Sequence, residues 1–328
     1  MAKSITTRDN LLIYLKKNKS AWISGETLSR RLNVSRAAVN KHIKKLRQEG
    51  YPIESSTKKG YFLKTVDDLL LADEIQAGLD TRIFGKTDIL VLKETDSTNL
   101  QAKNLAAEGA PEGTLVVAEN QHAGRGRKGR TWFSPPGLGI YSSLILRPAI
   151  SPAEAPGITL MTAVAAVEAV IALTGIPARI KWPNDIMVKN RKLAGILTEI
   201  STEMDSVDFI IVGFGMNVNT PADGFPSDIK EIATSVYAET GKRFPRVTML
   251  QAFLKKFEVH YETFKKEGFS GVRTKWKALT EIIGKKVMVR KVAGEISGKV
   301  VDVDYEGVLI LQDKNGETHR IFSGDLLF

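Results

Sequence analysis

A cluster of cations in a glycine-rich segment is the first feature of the sequence that could do chemistry. Residues 124–130 read GRGRKGR, which places three glycines in the spacing G-x-G-x-x-G and four cations among seven residues. Glycine allows a backbone to approach a ligand closely, and fixed cations suit a polyphosphate. The segment therefore predicts a flexible loop that holds Arg125, Arg127, Lys128 and Arg130 over an anion.

Other interpretations of this segment fail on their context. A dinucleotide fingerprint requires a helix after its last glycine and an acidic residue about 20 positions later. Here Pro135 and Pro136 follow, and the stretch SSLILRPAI contains no acid. A phosphate-binding P-loop fails because Asp80 stands where the first glycine should precede the Gly-Lys-Thr at 85–87. A disordered arginine-glycine tail would be longer and would not lie between apolar strands.

Three further polar clusters could complete an anion site. They are KWPND at 181–185, RKLAG at 191–195 and GMNVN at 215–219. Each signal is weak alone, because a single lysine is more often a surface charge, Trp182 is more often a core residue, and Asn217 could be a turn residue.

Alternating apolar segments predict an α/β domain that positions these clusters. Segments 88–94, 114–120, 138–147 and 208–220 are typical of strands, and 151–175 is typical of a long buried helix. A shorter helix over 96–109 turns its free backbone N–H groups toward the end of a strand. Some strands, such as those folded about residues 189–191, are too close in sequence for helical crossovers, so the sheet is predicted to be mixed.

The basic charge of the chain lies at its N-terminus. Residues 1–65 hold 15 of the 47 Lys and Arg residues and 4 of the 37 Asp and Glu residues, a net charge of +11, which leaves −1 for the remainder. Such a domain is a candidate for the phosphate backbone of nucleic acid. A solvated basic face without a partner is the alternative.

The pattern within this segment predicts a winged helix-turn-helix. Ser24 and Ser35 are candidate caps of two short helices, and the polar turn of YPIESSTKKGYFL is typical of a wing between two strands. Charge favours DNA over protein docking. The expected DNA contacts come from the second helix and the wing: Ser35, Arg36, Ala37, Asn40, Lys41, Lys44, Lys58 and Lys59.

The C-terminal segment and the composition complete the predicted organisation. Residues 281–328 alternate apolar and polar positions, which predicts a small five-stranded barrel whose role, in packing and docking or in catalysis, stays open. We therefore divide the chain into domains at 1–65, 66–280 and 281–328. The sequence has no cysteine and four scattered histidines, so no metal site is expected. No apolar run near 20 residues and no signal core are evident, which predicts a soluble, cytoplasmic protein without a membrane partner.

Together the motifs resemble the biotin protein ligases, in particular the bifunctional ligases that also repress the biotin operon. The resemblance rests on DSTN at 96–99, GRGRKGR with WFSP behind it, KWPND, RKLAGIL and GMNVN, in the order and spacing of the family. It extends to SRAAVNKHIKKLR in front and to the small barrel behind, so it covers essentially the whole chain. The catalytic domain of this family resembles class II aminoacyl-tRNA synthetases. Lys128 is a mild departure, since the family often has arginine there.

The resemblance implies a two-step reaction with biotin and Mg-ATP as substrates. Biotin is activated as biotinoyl-5'-AMP, and the biotinoyl group then passes to a lysine of the carrier domain of acetyl-CoA or pyruvate carboxylase. Catalytic roles are implied for Lys192, Arg125, Arg127 and Asp185, the last in organising the metal or deprotonating the acceptor lysine. Cations are needed because two anions must meet in the first step.

The resemblance also implies binding residues. For biotin they are Ser97, Thr98, Asn99, Gln121, Arg125, Gly126, Arg127, Lys192, Gly195 and Leu197. For ATP they are Arg130, Trp132, Phe133, Lys181, Asn184 and Asn217.

Repression in the family uses biotinoyl-AMP as a corepressor that stabilises a homodimer on operator DNA. We expect segments 124–130 and 218–225 to be the loops that respond to this ligand. Two rivals remain: a lipoate or octanoyl ligase, which is expected to lack this winged helix, and a pure sensor, which would lose the ATP residues.

Overall fold

The computed structural model describes most of the chain in two compact units. The described residues are 6–18, 21–64, 68–203, 206–291, 294–322 and 324–327. One unit is Met1–Leu71 and the other is Ala72–Phe328. The predicted boundary between residues 65 and 66 lies outside the described residues.

The first unit has the predicted winged helix-turn-helix. Its elements are α1 (Thr7–Lys17), α2 (Gly25–Leu32), α3 (Arg36–Gln48), β1 (Ile53–Ser56) and β2 (Gly60–Leu63). Ser24 caps α2 by accepting a hydrogen bond from the Thr27 backbone N–H at 3.0 Å, and Ser35 caps α3 from Ala38 at 3.1 Å. Leucine and isoleucine side chains from all three helices, among them Leu28 and Ile43, are fully buried and form the core.

The second unit is built on a seven-stranded mixed sheet. Its first elements are α4 (Ala72–Gln76), β3 (Ile89–Leu92), α5 (Thr98–Ala107), β4 (Leu115–Ala118), β5 (Gly139–Leu146), α6 (Ala155–Thr174), β6 (Arg179–Lys181), β7 (Asp185–Val188), β8 (Arg191–Glu203) and β9 (Ser206–Asn217). The strand order is β3-β4-β5-β9-β8-β7-β6. Only β3 and β4, which α5 connects, run parallel; the other pairs are antiparallel. The predicted mixed sheet is thus confirmed.

Helices cover both faces of this sheet. The remaining helices are α7 (Val236–Thr240), α8 (Arg246–Glu267) and α9 (Ser270–Leu279). On one face α5 packs against β4, β5 and β9, and on the other α6 packs against β8 and α8. Alternation along β9 separates the faces: Phe214 stacks on Phe253 of α8 with ring centroids 4.1 Å apart, while a Cβ atom at the neighbouring Gly213 would point at Asn99 of α5.

The helix α6 corrects one expectation from the sequence. Residues Pro152–Thr174 are long and apolar enough to cross a membrane by length and composition, contrary to the expectation that no apolar run approaches 20 residues. In the structure 67% of the most apolar 18-residue stretch is buried inside the protein. The apolar composition is therefore explained by packing between the sheet and α8.

The C-terminal strands form a small five-stranded antiparallel sheet, where a small five-stranded barrel was predicted. They are β10 (Lys286–Lys291), β11 (Gly294–Val303), β12 (Leu309–Gln312), β13 (Thr318–Ile321) and β14 (Asp325–Leu327), in the order β13-β12-β11-β10-β14. Arg273 of α9 holds this sheet, since its guanidinium donates to the Val303 carbonyl at 2.7 Å and to Asp302 at 2.5 Å.

Candidate functional site

Two glycines in the middle of the sheet make room for the site. Gly213 and Gly215 lie on β9 and face the same side as α5, and each is covered by a side chain from elsewhere. A Cβ atom at Gly215 would lie 2.7 Å from the indole of Trp132, and one at Gly213 would collide with Asn99 Oδ1. Because neither position carries a side chain, the Asn99 amide and the Trp132 indole lie directly against the backbone of β9.

Around these two side chains lies an open cleft. Every residue predicted to bind biotin lines it: Ser97, Thr98, Asn99, Gln121, Arg125, Gly126, Arg127, Lys192, Gly195 and Leu197. The structure therefore brings together residues from four separate motifs, on α5, the segment after β4, the glycine-rich segment and β8.

The start of α5 supplies the polar end of the cleft. Ser97, Thr98 and Asn99 are all buried, at 3%, 4% and 3% exposure. Gln121 Oε1 accepts the Thr98 backbone N–H at 2.8 Å, so a side chain distant in sequence caps the helix. Asp96 anchors the turn before it: hydrogen bonds from the Gln101 side chain and the Ser97 backbone N–H lower the pKa of this carboxyl group.

The glycine-rich segment is folded as a narrow hairpin beside the cleft. Arg125 pairs with Thr131, and the Trp132 backbone N–H donates to the Gly124 carbonyl at 2.8 Å. Lys128, at the tip, has a left-handed backbone with φ 57°. The hairpin turns Arg127 inward, while Arg125, Lys128 and Arg130 are exposed. The predicted loop is consistent with this geometry, but the sequence did not predict the hydrogen bonds within the loop.

Two polar contacts define the cationic end of the cleft. Arg127 Nη1 donates to Asn184 Oδ1 at 3.1 Å, and Asn184 Nδ2 in turn donates to the Ile196 carbonyl at 2.9 Å. Lys192 Nζ lies 2.7 Å from Asp185 Oδ1 and 5.2 Å from the centre of the Trp132 ring. The KWPND, RKLAG and GRGRKGR motifs thus converge on one cationic region of the cleft.

The residues predicted to bind ATP divide into two groups. Trp132 and Asn184 line the cleft. The other four, Arg130, Phe133, Lys181 and Asn217, do not line it. Phe133 instead packs against Phe225, with ring centroids 6.2 Å apart, and buried Asn217 donates to the Thr234 carbonyl at 3.0 Å.

The segment after β9 returns to the site. Residues 232–234 run beside the start of β8, where the Lys192 N–H donates to the Ile232 carbonyl at 2.7 Å and the Thr234 N–H to the Lys192 carbonyl at 2.9 Å. Glu239 of α7 fixes this segment, since its carboxylate accepts from Arg191 at 2.5 Å and from Thr234 Oγ1 at 2.7 Å.

A second cleft lies on the α6 face of the sheet. It shares Arg127, Asn184 and Ile196 with the first, and Phe322 of the C-terminal segment lies on its wall. The Arg127–Asn184 contact therefore stands where the two clefts meet.

Several residues of the site were not predicted from the sequence. Ser134 joins Gln121 to the Trp132 carbonyl, with contacts of 2.9 and 3.0 Å, and Tyr141 donates to the Pro135 carbonyl at 2.9 Å. Burial raises the pKa of Tyr141 well above its usual range, so its hydroxyl stays protonated. Ser134 could have been found in the WFSP motif; the role of Tyr141 has no local signal.

In the first unit, the residues predicted to contact DNA are all exposed. They are Ser35, Arg36, Ala37, Asn40, Lys41, Lys44, Lys58 and Lys59. Lys59 Nζ lies 5.9 Å from the centre of the Trp22 ring, which holds the wing lysine against an aromatic face.

Comparisons with known proteins agree with this organisation. Residues 91–217 match the biotin/lipoate A/B protein ligase family, 282–328 match the biotin protein ligase C-terminal domain, and 7–62 match a helix-turn-helix domain. The matched segments are those of a protein ligase that carries a helix-turn-helix domain.

Relatives similar over nearly the full length define the family more narrowly. The chain is 41% identical to the bifunctional ligase/repressor BirA of Bacillus spizizenii, over 98% of each chain, and 33% identical to that of Escherichia coli, over 88% of each. The biotin protein ligase of Aquifex aeolicus in complex with biotin and ATP superposes with a TM-score of 0.63 at 33% identity, over 73% of this chain and 97% of that one. The chain belongs to the family of bifunctional biotin ligase/repressors, which confirms the resemblance.

Proposed function

We propose that this protein is an ATP-dependent ligase that activates biotin as biotinoyl-5'-AMP and transfers it to a lysine of a carboxylase carrier domain. The observation that carries the proposal is that one cleft joins a polar pocket at Thr98, Asn99 and Gln121 to the cations Arg127 and Lys192. Biotin fits this cleft, because its neutral polar ring matches the polar pocket and its carboxylate tail matches the cations.

In the first step, a carboxylate oxygen of biotin attacks the α-phosphorus of Mg-ATP, and the bond to the β-phosphate breaks to release pyrophosphate. Both reactants are anions, so Arg125, Arg127 and Lys192 lower their repulsion and stabilise charge on the phosphoryl oxygens. Trp132 and Asn184, which line the cleft beside these cations, are assigned to the nucleotide. Arg130, Phe133, Lys181 and Asn217 remain predicted nucleotide contacts.

In the second step, the amine of the acceptor lysine attacks the acyl carbon and forms the new amide. The bond from this carbon to the bridging oxygen breaks, and AMP leaves with that oxygen. The attacking amine must first lose a proton. Asp185 was predicted to assist here or to organise the metal. Its contact with Lys192 at 2.7 Å supports a further role, in which the carboxylate orients the Lys192 ammonium toward the substrate anions.

A transfer assay tests the ligase proposal. The full-length protein is incubated with Mg-ATP, a carboxylase carrier domain and radiolabelled biotin or lipoate, and label on the carrier is measured. We expect label from biotin, and none on a carrier whose acceptor lysine is replaced by arginine. Absence of biotin transfer would refute the proposal, and label from lipoate alone would identify a lipoate ligase.

The proposal includes repression in the cytoplasm: biotinoyl-AMP stabilises a homodimer whose two winged helices bind an inverted-repeat operator. The exposed cationic residues of α3 and the wing support DNA binding, and the lack of cysteine suits a reducing compartment. Footprinting on DNA upstream of biotin biosynthesis genes, with sedimentation of the protein, tests this. Protection and dimers should both increase with biotin plus ATP; no change in either would contradict it.

A further inference from the structure

Beneath the polar end of the cleft, a chain of hydrogen bonds leads to a carboxylate that does not line it. Asn99 Nδ2 donates to Glu199 Oε2 at 2.7 Å and to the Leu197 carbonyl at 3.2 Å. On its other side, Asn99 Oδ1 accepts from Ser143 Oγ at 2.6 Å, and Ser143 Oγ also lies 2.8 Å from Thr98 Oγ1. Glu199 thus connects to the Thr98 hydroxyl through two buried side chains.

Strand register builds this chain of contacts. Ser143 on β5 and Leu197 on β8 both pair with Gly213 of β9, so the three positions form one row across the sheet. Asn99 lies over the glycine in the middle of the row, and Glu199 follows two residues after Leu197 on the same face. A side chain at position 213 would displace the amide, so the arrangement depends on a glycine there.

The Glu199 carboxylate, at one end of this series of hydrogen bonds, fixes the direction of the hydrogen bonds that lead to it. An ionised carboxylate can only accept, so Asn99 must turn its NH₂ group toward Glu199 and its oxygen toward Ser143. Ser143 has one hydroxyl hydrogen and must donate it to that oxygen. That hydrogen is then withheld from Thr98 Oγ1, which lies 2.8 Å from Ser143 Oγ and would otherwise accept it.

The Thr98 hydroxyl is thereby left with its lone pairs for the cleft. The hydroxyl's own hydrogen is donated to Gln121 Oε1 at 3.2 Å, and the same oxygen accepts the Thr98 backbone N–H at 2.8 Å. Gln121 Nε2 donates one hydrogen to Ser134 and has a second available. The floor of the cleft therefore offers an acceptor at Thr98 and a donor at Gln121, as a cyclic urea with N–H donors and a carbonyl acceptor requires.

We propose that Glu199 is a positioning residue for ligand selection: through Asn99 and Ser143 it holds the Thr98 hydroxyl as an acceptor for a ligand N–H group. The inference rests on the proposed function in that biotin is the ligand that carries the urea. Glu199 contacts neither reactant, and its effect is confined to recognition of the ring.

The test compares Glu199→Gln with wild type in the carrier transfer assay. Glutamine has nearly the same shape but can also donate, so the direction of the chain is no longer fixed. We expect the KM for biotin to rise about tenfold, as for loss of a charge-assisted contact, with kcat and the KM for Mg-ATP within about twofold. Desthiobiotin, which keeps the urea and lacks the sulfur ring, should lose the same factor.

Four further variants complete the test. Ser143→Ala breaks the chain at another link and should raise the biotin KM in the same selective way, which keeps the test valid if Glu199→Gln fails to fold. The pair Asn99→Asp with Glu199→Gln restores an acceptor-only group facing Ser143 and should recover at least half of the loss, whereas Asn99→Asp alone should not. Glu203→Gln, on the exposed end of the same strand, is the matched control and should match wild type.

An unchanged biotin KM in Glu199→Gln, or equal losses for biotin and Mg-ATP, would overturn the inference while wild-type transfer still supported the ligase. If wild type transfers no biotin, the proposed function itself fails.

Discussion

Lys192 and Asp185 form an ion pair of 2.7 Å at the point where three sequence motifs meet. Lys192 belongs to β8 and Asp185 to β7, and the lysine also lies over the Trp132 ring at 5.2 Å. The carboxylate and the indole together limit the ammonium to a position beside Arg127 and Gly195 on the wall of the cleft. Lys192 therefore differs from a surface lysine because its charge is held in one orientation.

Replacing Lys192 by methionine should therefore slow the activation of biotin. Methionine keeps much of the side-chain length but removes the charge that opposes the repulsion between carboxylate and phosphate, a loss of about 10²-fold or more in kcat. ATP–pyrophosphate exchange in the presence of biotin measures this step alone. Lys266→Met, an exposed lysine near the end of α8, is the matched control; equal losses in both variants would contradict the assignment.

The two covered glycines give a second prediction. Gly213→Ala forces Asn99 away from the sheet and should raise the KM for biotin at least tenfold, and overpacking should lower the free energy of unfolding by about 1–3 kcal/mol. Gly215→Ala displaces Trp132 instead, so it should act mainly on the KM for ATP. Denaturant unfolding and steady-state kinetics measure both effects.

Gly25→Ala is the matched control for the glycine variants. A Cβ atom there meets its nearest neighbour at 3.5 Å, an ordinary contact, and the residue lies in the other unit. Biotin kinetics of this variant should equal those of wild type. Equal behaviour of all three alanine variants would show that the space above β9 does not matter for binding.

Glu239 should make the stability of the protein depend on pH. Burial opposes its ionisation, but the Thr234 hydrogen bond and the charges of Arg191 and Lys189 outweigh it, so its pKa lies below the ordinary 4.5. A lowered pKa contributes stability above pH 4.5, and this contribution is lost as the pH falls through the lowered value.

Glu239→Gln should accordingly lower the free energy of unfolding at pH 7 by about 1–2 kcal/mol, since its side chain is 6% exposed but its cationic partners are partly solvated. The difference from wild type should shrink as the pH falls below 4. Denaturant titrations at pH 7 and at acid pH measure it. Glu231→Gln, exposed on the neighbouring segment, should show no difference; a pH-independent effect of Glu239→Gln would refute the electrostatic cause.

The sequence predicts local features of this protein better than its long-range contacts. The helix caps at Ser24 and Ser35 and the strands follow from residue types and spacing within a few positions, and the ligand motifs were assigned by their resemblance to a family. The contacts of Glu199 with Asn99 and of Phe133 with Phe225 depend on strand register and loop path across 100 and 92 positions of chain. Only the folded sheet reveals them.

The expected ligand response of two loops leads to a prediction about proteolysis. Phe133, three residues after the glycine-rich segment 124–130, packs against Phe225 of segment 218–225. Their ring centroids are 6.2 Å apart. If biotinoyl-AMP orders both segments, cleavage in each should slow together by about tenfold on adding biotin and ATP, because closed loops must open before cleavage. Phe225→Ala should uncouple the two rates. Equal cleavage with and without ligand would count against the loop assignment.

Operator binding should separate from catalysis. Arg36→Ala or Lys41→Ala removes an exposed cation of α3, so the Kd for operator DNA should rise about tenfold and the salt dependence should weaken by about one counterion. Biotin transfer should be unchanged, since both residues lie in the unit Met1–Leu71 and the cleft lies in the other unit. Lys17→Ala, an exposed lysine at the end of α1, controls for charge alone. A parallel fall in biotin transfer would show that this division of function is wrong.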